Sequence, residues 1–174
     1  MPWRPGMAVA TAEDMVAFTE AYAEAVCIQD EATVQAMFTD DAISSSGAEP
    51  GKPMSHAERK GYIEERQWAF PDFHFEATNI VANPEKGTTT FEWTVTGTFL
   101  NPFKGIKPNG NKVTQTGTTE LQIANGKIVR ETSFQDRGNF MRQLTARPKG
   151  KVPTGPVRRQ PKPNTVYKSQ KRAD

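Results

Sequence analysis

The sequence predicts an α+β domain in which helices come first and a curved antiparallel sheet follows. Apolar residues recur every three to four positions before Pro71 and every second position from there to Gln135. An order in which helices come first and a run of strands follows is typical of the α+β class, in which helices pack on one face of a sheet. Gly97 and Gly117 interrupt two long strand patterns and indicate bends. We therefore expect a strongly curved sheet closed by helices, a cone with an internal cavity.

About three N-terminal helices are predicted on the concave face. TAED at 11–14 is a capping box that begins the first helix. One apolar face follows at helical spacing: Met15, Phe18, Tyr22 and Val26. A short second helix follows Asp30, and the stretch 39–53 is predicted as a loop. SHAE at 55–58 is a second capping box, and its helix ends before Pro71 because the residue before proline disfavours the α conformation.

Four strands are predicted after Pro71. The first begins near Phe73, and the next two are TTTFEWTVTGTFL at 88–100 and KVTQTGTTELQI at 112–123. Asn125-Gly126 is typical of a hairpin turn, and the last strand runs to Gln135. The stretch RGNFMRQL at 137–144 returns to helical spacing and is predicted to close the domain with a short helix.

Charge divides the chain into an N-terminal arm (1–10), a domain (11–146) and a basic, proline-rich tail (147–174). The tail has nine Lys or Arg residues and one acid, Asp174, whereas the other 146 residues hold 13 basic and 19 acidic residues. An acidic domain thus carries a strongly basic extension that has too few apolar residues to form a core. The single cysteine, Cys27, excludes an intramolecular disulfide. No apolar run reaches the roughly 18 residues of a membrane span. We expect a soluble protein of the cytoplasm or of an organellar matrix or stroma.

Four stretches, in this order and spacing, resemble the SnoaL-like polyketide cyclases of the NTF2-like superfamily. They are AMFTDDA, FPDFHFEATNIV, TGTFLNPFKGIKPNGNKV and NGKIVRETSFQDRGNFMRQL. The resemblance extends over the chain from about Thr11 to Leu144. The resemblance implies a cone of antiparallel sheet capped by three helices, often dimeric through the sheet. It also implies that Asp136 stands where catalytic members keep the acid/base of an intramolecular aldol closure, with no metal or cofactor. Whether this chain is an enzyme stays open, because fold does not settle function.

Asp136 has two interpretations. It is either a general base that removes a proton next to a carbonyl, or the N-cap of the helix that follows it. Cyclases of this type often carry a histidine on the adjacent strand, but the corresponding strand here offers Glu120 and Gln122. The two interpretations do not exclude each other.

The candidate ligand-pocket residues are polar or carry a polar end: Tyr22, His74, Trp93 and Gln122. Buried Tyr and Trp need a hydrogen-bond partner, and Gln122 could orient a carbonyl. No metal site is predicted, because His56 and His74 lie far apart and no acidic residue stands at ligand spacing.

Two functions of different classes follow. The first is a cavity domain that binds a small apolar ligand, with possible cyclase or isomerase chemistry at Asp136. The second is a non-catalytic accessory subunit that docks on a larger protein assembly through its tail. The tail residues that would dock are mostly cationic: Arg147, Lys149, Lys151, Arg158, Arg159, Lys162, Tyr167 and Lys168. A solvated extension is the alternative for the tail, and nucleic acid is disfavoured because an acidic domain repels phosphates.

Overall fold

The computed structural model describes residues 3–46, 52–152 and 154–158. The helices of this part are α1 (Ala12–Ile28), α2 (Glu31–Met37), α3 (His56–Ala69) and α4 (Arg137–Leu144). The strands are β1 (Phe38–Ser46), β2 (Met54–Ser55), β3 (His74–Asn83), β4 (Thr88–Thr98), β5 (Lys112–Ala124) and β6 (Lys127–Gln135). The α+β prediction, with helices before the main run of strands, is confirmed.

The strands form one sheet in the order β2-β1-β6-β5-β4-β3. Neighbouring strands from β6 to β3 pair antiparallel, as predicted, and so do β1 and β2. Strands β1 and β6 pair parallel. Register shifts interrupt three of the pairings, and such irregularities bend a strand and increase its twist, which gives the sheet its curvature.

Both predicted capping boxes are present. Thr11 Oγ1 accepts a hydrogen bond from the Asp14 amide at 3.1 Å, and Ser55 Oγ accepts one from the Glu58 amide at 3.3 Å. The acidic side chains accept in return from the amides of Thr11 and Ser55. Asp30 caps α2 by accepting from the Thr33 amide at 3.1 Å. Local sequence therefore sets where each of the three N-terminal helices begins.

The prediction of a loop at 39–53 is wrong for its first part, because β1 extends from Phe38 to Ser46. Aspartate and serine have low β propensity, so the pattern TDDAISSS does not indicate a strand. The strand forms because β6 lies beside it, with Ile43 opposite Arg130 and Ser44 opposite Glu131. Pairing between segments almost ninety residues apart is a tertiary effect that a local pattern does not contain. Residues 47–51 lie outside the described part.

The core lies between the helices and the inner face of the sheet. Phe18 of α1 is fully buried, and Trp3 of the N-terminal arm packs edge-on against it at 4.8 Å between ring centroids. Thr19 Oγ1 donates to the carbonyl of Met15, and it also contacts Thr89 Oγ1 of β4 at 2.9 Å. These contacts fix α1 across the sheet and set one side of the cavity described below.

The start of the basic tail is hydrogen-bonded to the loop between β4 and β5. Asn111 Nδ2 donates to the carbonyl of Arg147 at 2.9 Å, and the Lys149 amide donates to Asn111 Oδ1 at 2.8 Å. Asn101, which is fully buried, exchanges two hydrogen bonds with the backbone of Val157. Arg147, Lys149 and Val157 thus connect the described part of the tail to this loop. The predicted docking residues Arg159, Lys162, Tyr167 and Lys168 lie outside the described part.

Candidate functional site: a cavity with a buried arginine cluster

A cavity of about 520 Å³ opens between the inner face of the sheet, helices α1, α3 and α4, and the β4–β5 loop. Its apolar wall is largely aromatic: Tyr22, Tyr62, Phe75, Phe91, Trp93, Phe103 and Phe140. Its polar wall includes Ser44, Ser45, Lys52, Arg59, Arg66, Lys104, Thr119, Glu131, Ser133, Gln135 and Arg137. This size and composition are typical of small-molecule sites, which combine mostly apolar walls with a few placed polar groups.

The sheet supplies alternate residues to this wall. Phe91, Trp93 and Val95 on β4 line the cavity, as do Glu131, Ser133 and Gln135 on β6, because successive side chains of a strand point to opposite faces. Trp93 Nε1 donates to Thr119 Oγ1 at 2.9 Å, and Thr119 Oγ1 lies 2.8 Å from Ser133 Oγ. The polar end of Trp93 is thereby satisfied, and its ring is held against the cavity.

Helix α3 supplies two arginines to the wall. Arg59, Tyr62, Ile63 and Arg66 all line the cavity. Their spacing of three, four and seven residues places them on one face of the helix. The sequence pattern therefore brings two guanidinium groups to the same side as an apolar stripe.

Arg59 belongs to a buried cluster with Tyr22 and Glu131. Arg59 Nε donates to Glu131 Oε2 at 2.5 Å, and Arg59 Nη2 donates to the Tyr22 hydroxyl at 2.9 Å. The Tyr22 hydroxyl donates to Glu131 Oε1 at 3.1 Å, and Ser44 Oγ donates to Oε2 at 3.1 Å. Both oxygens of the Glu131 carboxylate are thus occupied. The cluster joins α1, β1, α3 and β6 at the cavity wall.

The charges of this cluster are held in place. Burial alone would raise the pKa of Glu131, but attraction to Arg59 and the three donors outweigh burial and lower it. Burial likewise acts to lower the pKa of Arg59, yet Glu131 raises it overall. Burial and the negative charge of Glu131 raise the pKa of the Tyr22 hydroxyl. Near neutral pH the cluster is therefore a carboxylate, a guanidinium and a neutral phenol.

Two of the four predicted pocket residues, Tyr22 and Trp93, line the cavity. His74 and Gln122 lie outside the set of lining residues. On β3 it is Phe75 that lines the cavity, so His74 points elsewhere, with Nδ1 3.5 Å from Cys27 Sγ. Gln122 is exposed between the buried Leu121 and Ile123, on the outer face of β5.

Asp136 lies at the N-terminus of α4 and is exposed. Its Oδ1 accepts a hydrogen bond from the Asn139 amide at 2.8 Å, so the carboxylate caps the helix. Asp136 is not among the residues that line the cavity, although both of its neighbours, Gln135 and Arg137, are. The capping contact occupies Oδ1 and does not by itself decide between the two interpretations of Asp136.

Removal of the cap gives a testable prediction. Asp136→Ala should lower the free energy of unfolding by about 1 kcal/mol, since α4 loses the acceptor for an amide of its first turn. Asp136→Asn should change stability by only a few tenths of a kcal/mol, because asparagine caps about as well as aspartate. Urea unfolding followed by circular dichroism measures both. Equal destabilisation by the two variants would contradict the capping role.

Sequence reasoning missed Arg59, Arg66, Ser44 and Glu131. The signal for the two arginines was present, because they continue the helical face of Tyr62 and Ile63. Glu131 alternates in phase with the lining residues Ser133 and Gln135 of its strand. A glutamate in a strand pattern is normally assigned to the solvent-facing side, so the pattern alone did not place it in the cavity wall. Ser44 lies on β1, for which the sequence predicts a loop.

Among the described residues, no group of three or more His, Cys, Asp and Glu side chains is arranged to hold a metal ion. No helix in this part of the chain is long and apolar enough to cross a membrane.

A cone of curved sheet closed by helices around a cavity defines an NTF2-like domain. The family model of the SnoaL-like polyketide cyclases matches residues 16–144. The chain therefore belongs to the SnoaL-like polyketide cyclase family. None of the curated proteins matches the chain.

Solved structures share this fold. AclR of Streptomyces galilaeus, a proposed hydroxylase, superposes with a TM-score of 0.70 at 22% identity over 77% of this chain and 97% of its own. A proposed SnoaL-like polyketide cyclase of Jannaschia sp. CCS1 gives 0.70 at 15% identity over 84% and 100%. IdmH of Streptomyces antibioticus, a proposed polyketide cyclase, gives 0.65 at 22% identity over 76% and 99%. At these identities the similarity shows the fold.

Proposed function

We propose that this domain binds a small, largely apolar carbonyl compound in its cavity and catalyses cyclase- or isomerase-type proton transfer on it. One observation carries the proposal: a cavity of about 520 Å³ has an ionised, buried Arg59–Glu131–Tyr22 cluster in its wall. A domain used only as a scaffold gains stability when side chains fill such a space. Ordered polar groups beside open apolar volume instead favour ligand binding.

The chemistry follows from the position of the charges. Removal of a proton next to a carbonyl leaves an enolate, whose oxygen carries the negative charge. Arg59 presents its guanidinium at a site that is largely shielded from water, where a fixed positive charge stabilises an oxyanion more strongly than in solvent. Tyr22 and Glu131 hold this guanidinium in one orientation. The cluster thus acts on the oxygen of the substrate.

Asp136 is the proposed proton acceptor. Glu131 is a carboxylate of the cavity wall, but its oxygens already accept three hydrogen bonds and its lowered pKa makes it a weak base. Asp136 has one capping contact and stands between two lining residues. The substrate would place its acidic C–H group toward α4 and its carbonyl toward α3.

A simple ketone tests this proposal. The acetyl protons of 2-acetonaphthone exchange with D₂O through the enol or the enolate, and proton NMR follows the loss of the methyl signal. We expect the protein to accelerate this exchange. Asp136→Asn should reduce the acceleration at least tenfold without loss of folding, and Trp93→Ala should weaken binding of the ketone. The absence of both binding and acceleration in the intact protein would contradict the proposal.

The predicted protein–protein interactions, a homodimer through the sheet and docking through the tail, involve surfaces outside this cavity. Phe134, 57% exposed on the outer face of β6, is a residue that a homodimer through the sheet could cover. The described part of the tail, next to the β4–β5 loop, has four exposed cations: Arg147, Lys149, Lys151 and Arg158. They leave the accessory-subunit function as the alternative proposal, in which these cations contact an acidic partner.

A further inference from the structure

We infer that the ligand of this cavity carries a negatively charged oxygen group, such as a carboxylate, that binds between Arg59 and Arg66. The inference rests on the proposed function, because it specifies which carbonyl compounds the same cavity accepts. Three observations on the described residues carry it: the charge of the wall, a donor on Arg59 that has no partner among them, and the charge of Arg66, which forms no ion pair with any of them.

The charges of the wall are unequal. The described lining residues include one carboxylate, Glu131, and five cations: Lys52, Arg59, Arg66, Lys104 and Arg137. Glu131 pairs with Arg59, and Lys104 Nζ lies 3.3 Å from Glu65 Oε2. The lining residues therefore carry a formal excess of positive charge, whereas the domain outside the tail is acidic. Such a local reversal of sign attracts anions into the cavity.

Arg59 has a donor group without a partner. Its side chain is 5% exposed, and its Nε and Nη2 atoms are occupied by Glu131 and Tyr22. Its Nη1 atom is buried and has no hydrogen-bond partner among the described residues. A buried donor left unsatisfied costs about 1–3 kcal/mol, and more where the group is charged. A ligand oxygen in the cavity would satisfy it.

Arg66 lies two turns further along the same face of α3, about 10 Å from Arg59 along the helix axis. Its guanidinium packs 4.6 Å from the centre of the Phe73 ring and 5.8 Å from that of Tyr62. Its Nε atom is buried without a partner, and no carboxylate of the described residues forms an ion pair with it. Burial lowers the pKa of Arg66, and the positive charge of Arg59 contributes to that shift.

An anion bound between the Arg59 and Arg66 guanidinium groups would remove three unfavourable free-energy terms at once. It accepts from Arg59 Nη1, it balances the charge of Arg66, and it reduces the repulsion between the two guanidinium groups. Two oxygens that share one negative charge match the planar donor sets of arginine, which favours a carboxylate over a single hydroxyl. The aromatic wall then holds the apolar remainder of the ligand.

Two compounds of nearly equal shape test the inference. Isothermal titration calorimetry compares 2-naphthoate, an anion, with 2-naphthamide, its neutral counterpart. We expect 2-naphthoate to bind at least tenfold more tightly, and the difference to persist in 0.15 M salt because the pair is buried. Equal affinities, or tighter binding of the amide, would overturn the inference.

Variants locate the effect. Arg66→Met should abolish most of the preference for 2-naphthoate, and Arg66→Lys should retain part of it through the charge alone. Arg142→Met is the matched control, because Arg142 is exposed on α4 and does not line the cavity. A preference that survives Arg66→Met would overturn the inference. If 2-acetonaphthone binds and exchanges while 2-naphthoate shows no preference, this inference fails and the proposed function stands; if no naphthyl compound binds, both fail.

Discussion

Glu131→Gln is expected to lower the free energy of unfolding by about 3–5 kcal/mol, the usual effect of removing one partner of a buried ion pair. Glutamine keeps the size of the side chain, but it leaves the guanidinium of Arg59 buried without a counter-charge. Arg59 is 4% exposed, so water does not replace the lost carboxylate. Urea unfolding followed by circular dichroism measures the change.

The matched test is a double-mutant cycle. Arg59→Met alone should also destabilise the domain, whereas Arg59→Met combined with Glu131→Gln should cost clearly less than the sum of the two single changes, because neither charge is then left alone. Additive effects would mean that the two groups do not interact in solution. That result would also remove the basis for a fixed guanidinium at the cavity.

The same pair predicts how stability depends on pH. The pKa of Glu131 is lower in the folded state than its ordinary value of 4.5. A carboxylate of this kind contributes stability above its unfolded pKa and loses the contribution as pH falls through the folded pKa. The free energy of unfolding of the wild-type protein should therefore decrease as the pH is lowered below about 4.5. The decrease should be smaller in Glu131→Gln. Parallel acid profiles for the two proteins would contradict this assignment.

Gly117→Ala is the second change with a large expected effect. Gly117 lies opposite Trp93 on β4, and a Cβ at this position would overlap the Trp93 ring and the carbonyl oxygen of Phe134. Either the strand or the indole must move, and such overpacking typically costs about 1–3 kcal/mol. Displacement of the indole would also break its hydrogen bond to Thr119 and narrow the cavity. We expect lower stability, altered tryptophan fluorescence and weaker binding of 2-acetonaphthone.

Gly61 provides the control for this change. It lies in the exposed middle of α3, where an added Cβ would meet no atom within 4 Å. Gly61→Ala should therefore stabilise the domain by roughly 0.5–1 kcal/mol, the helix preference of alanine over glycine. If both glycine variants behaved alike, the close approach of Gly117 to Trp93 would not exist in solution.

The helices and the β3–β6 meander could be predicted because their signals are local. Capping boxes at Thr11 and Ser55 and the alternation around Trp93 depend on neighbouring residues only. Strand β1 could not, since its serines and aspartates form a strand only beside β6. Gly117 was predicted to mark a bend, whereas the β4–β5 register runs through it without a shift. Its close approach to Trp93 across the sheet was not visible in the sequence.

The candidate site was harder to predict for a related reason. Tyr22 and Trp93 were found because aromatic residues with a polar end are recognisable one at a time. Arg59 and Glu131 are 72 residues apart and are recognisable only as a pair. Each alone has the pattern of a solvated charge, and the fold brings them together inside.

A crystal structure of the protein soaked with 2-naphthoate would show whether Arg59 and Arg66 bind an anionic ligand in the cavity. We expect the naphthyl ring to lie in the cavity against Trp93, with one carboxylate oxygen within about 2.7–3.2 Å of Arg59 Nη1 and the other turned toward Arg66. A cavity left empty at saturating ligand, or a bound naphthoate whose carboxylate faces away from both arginines, would contradict it.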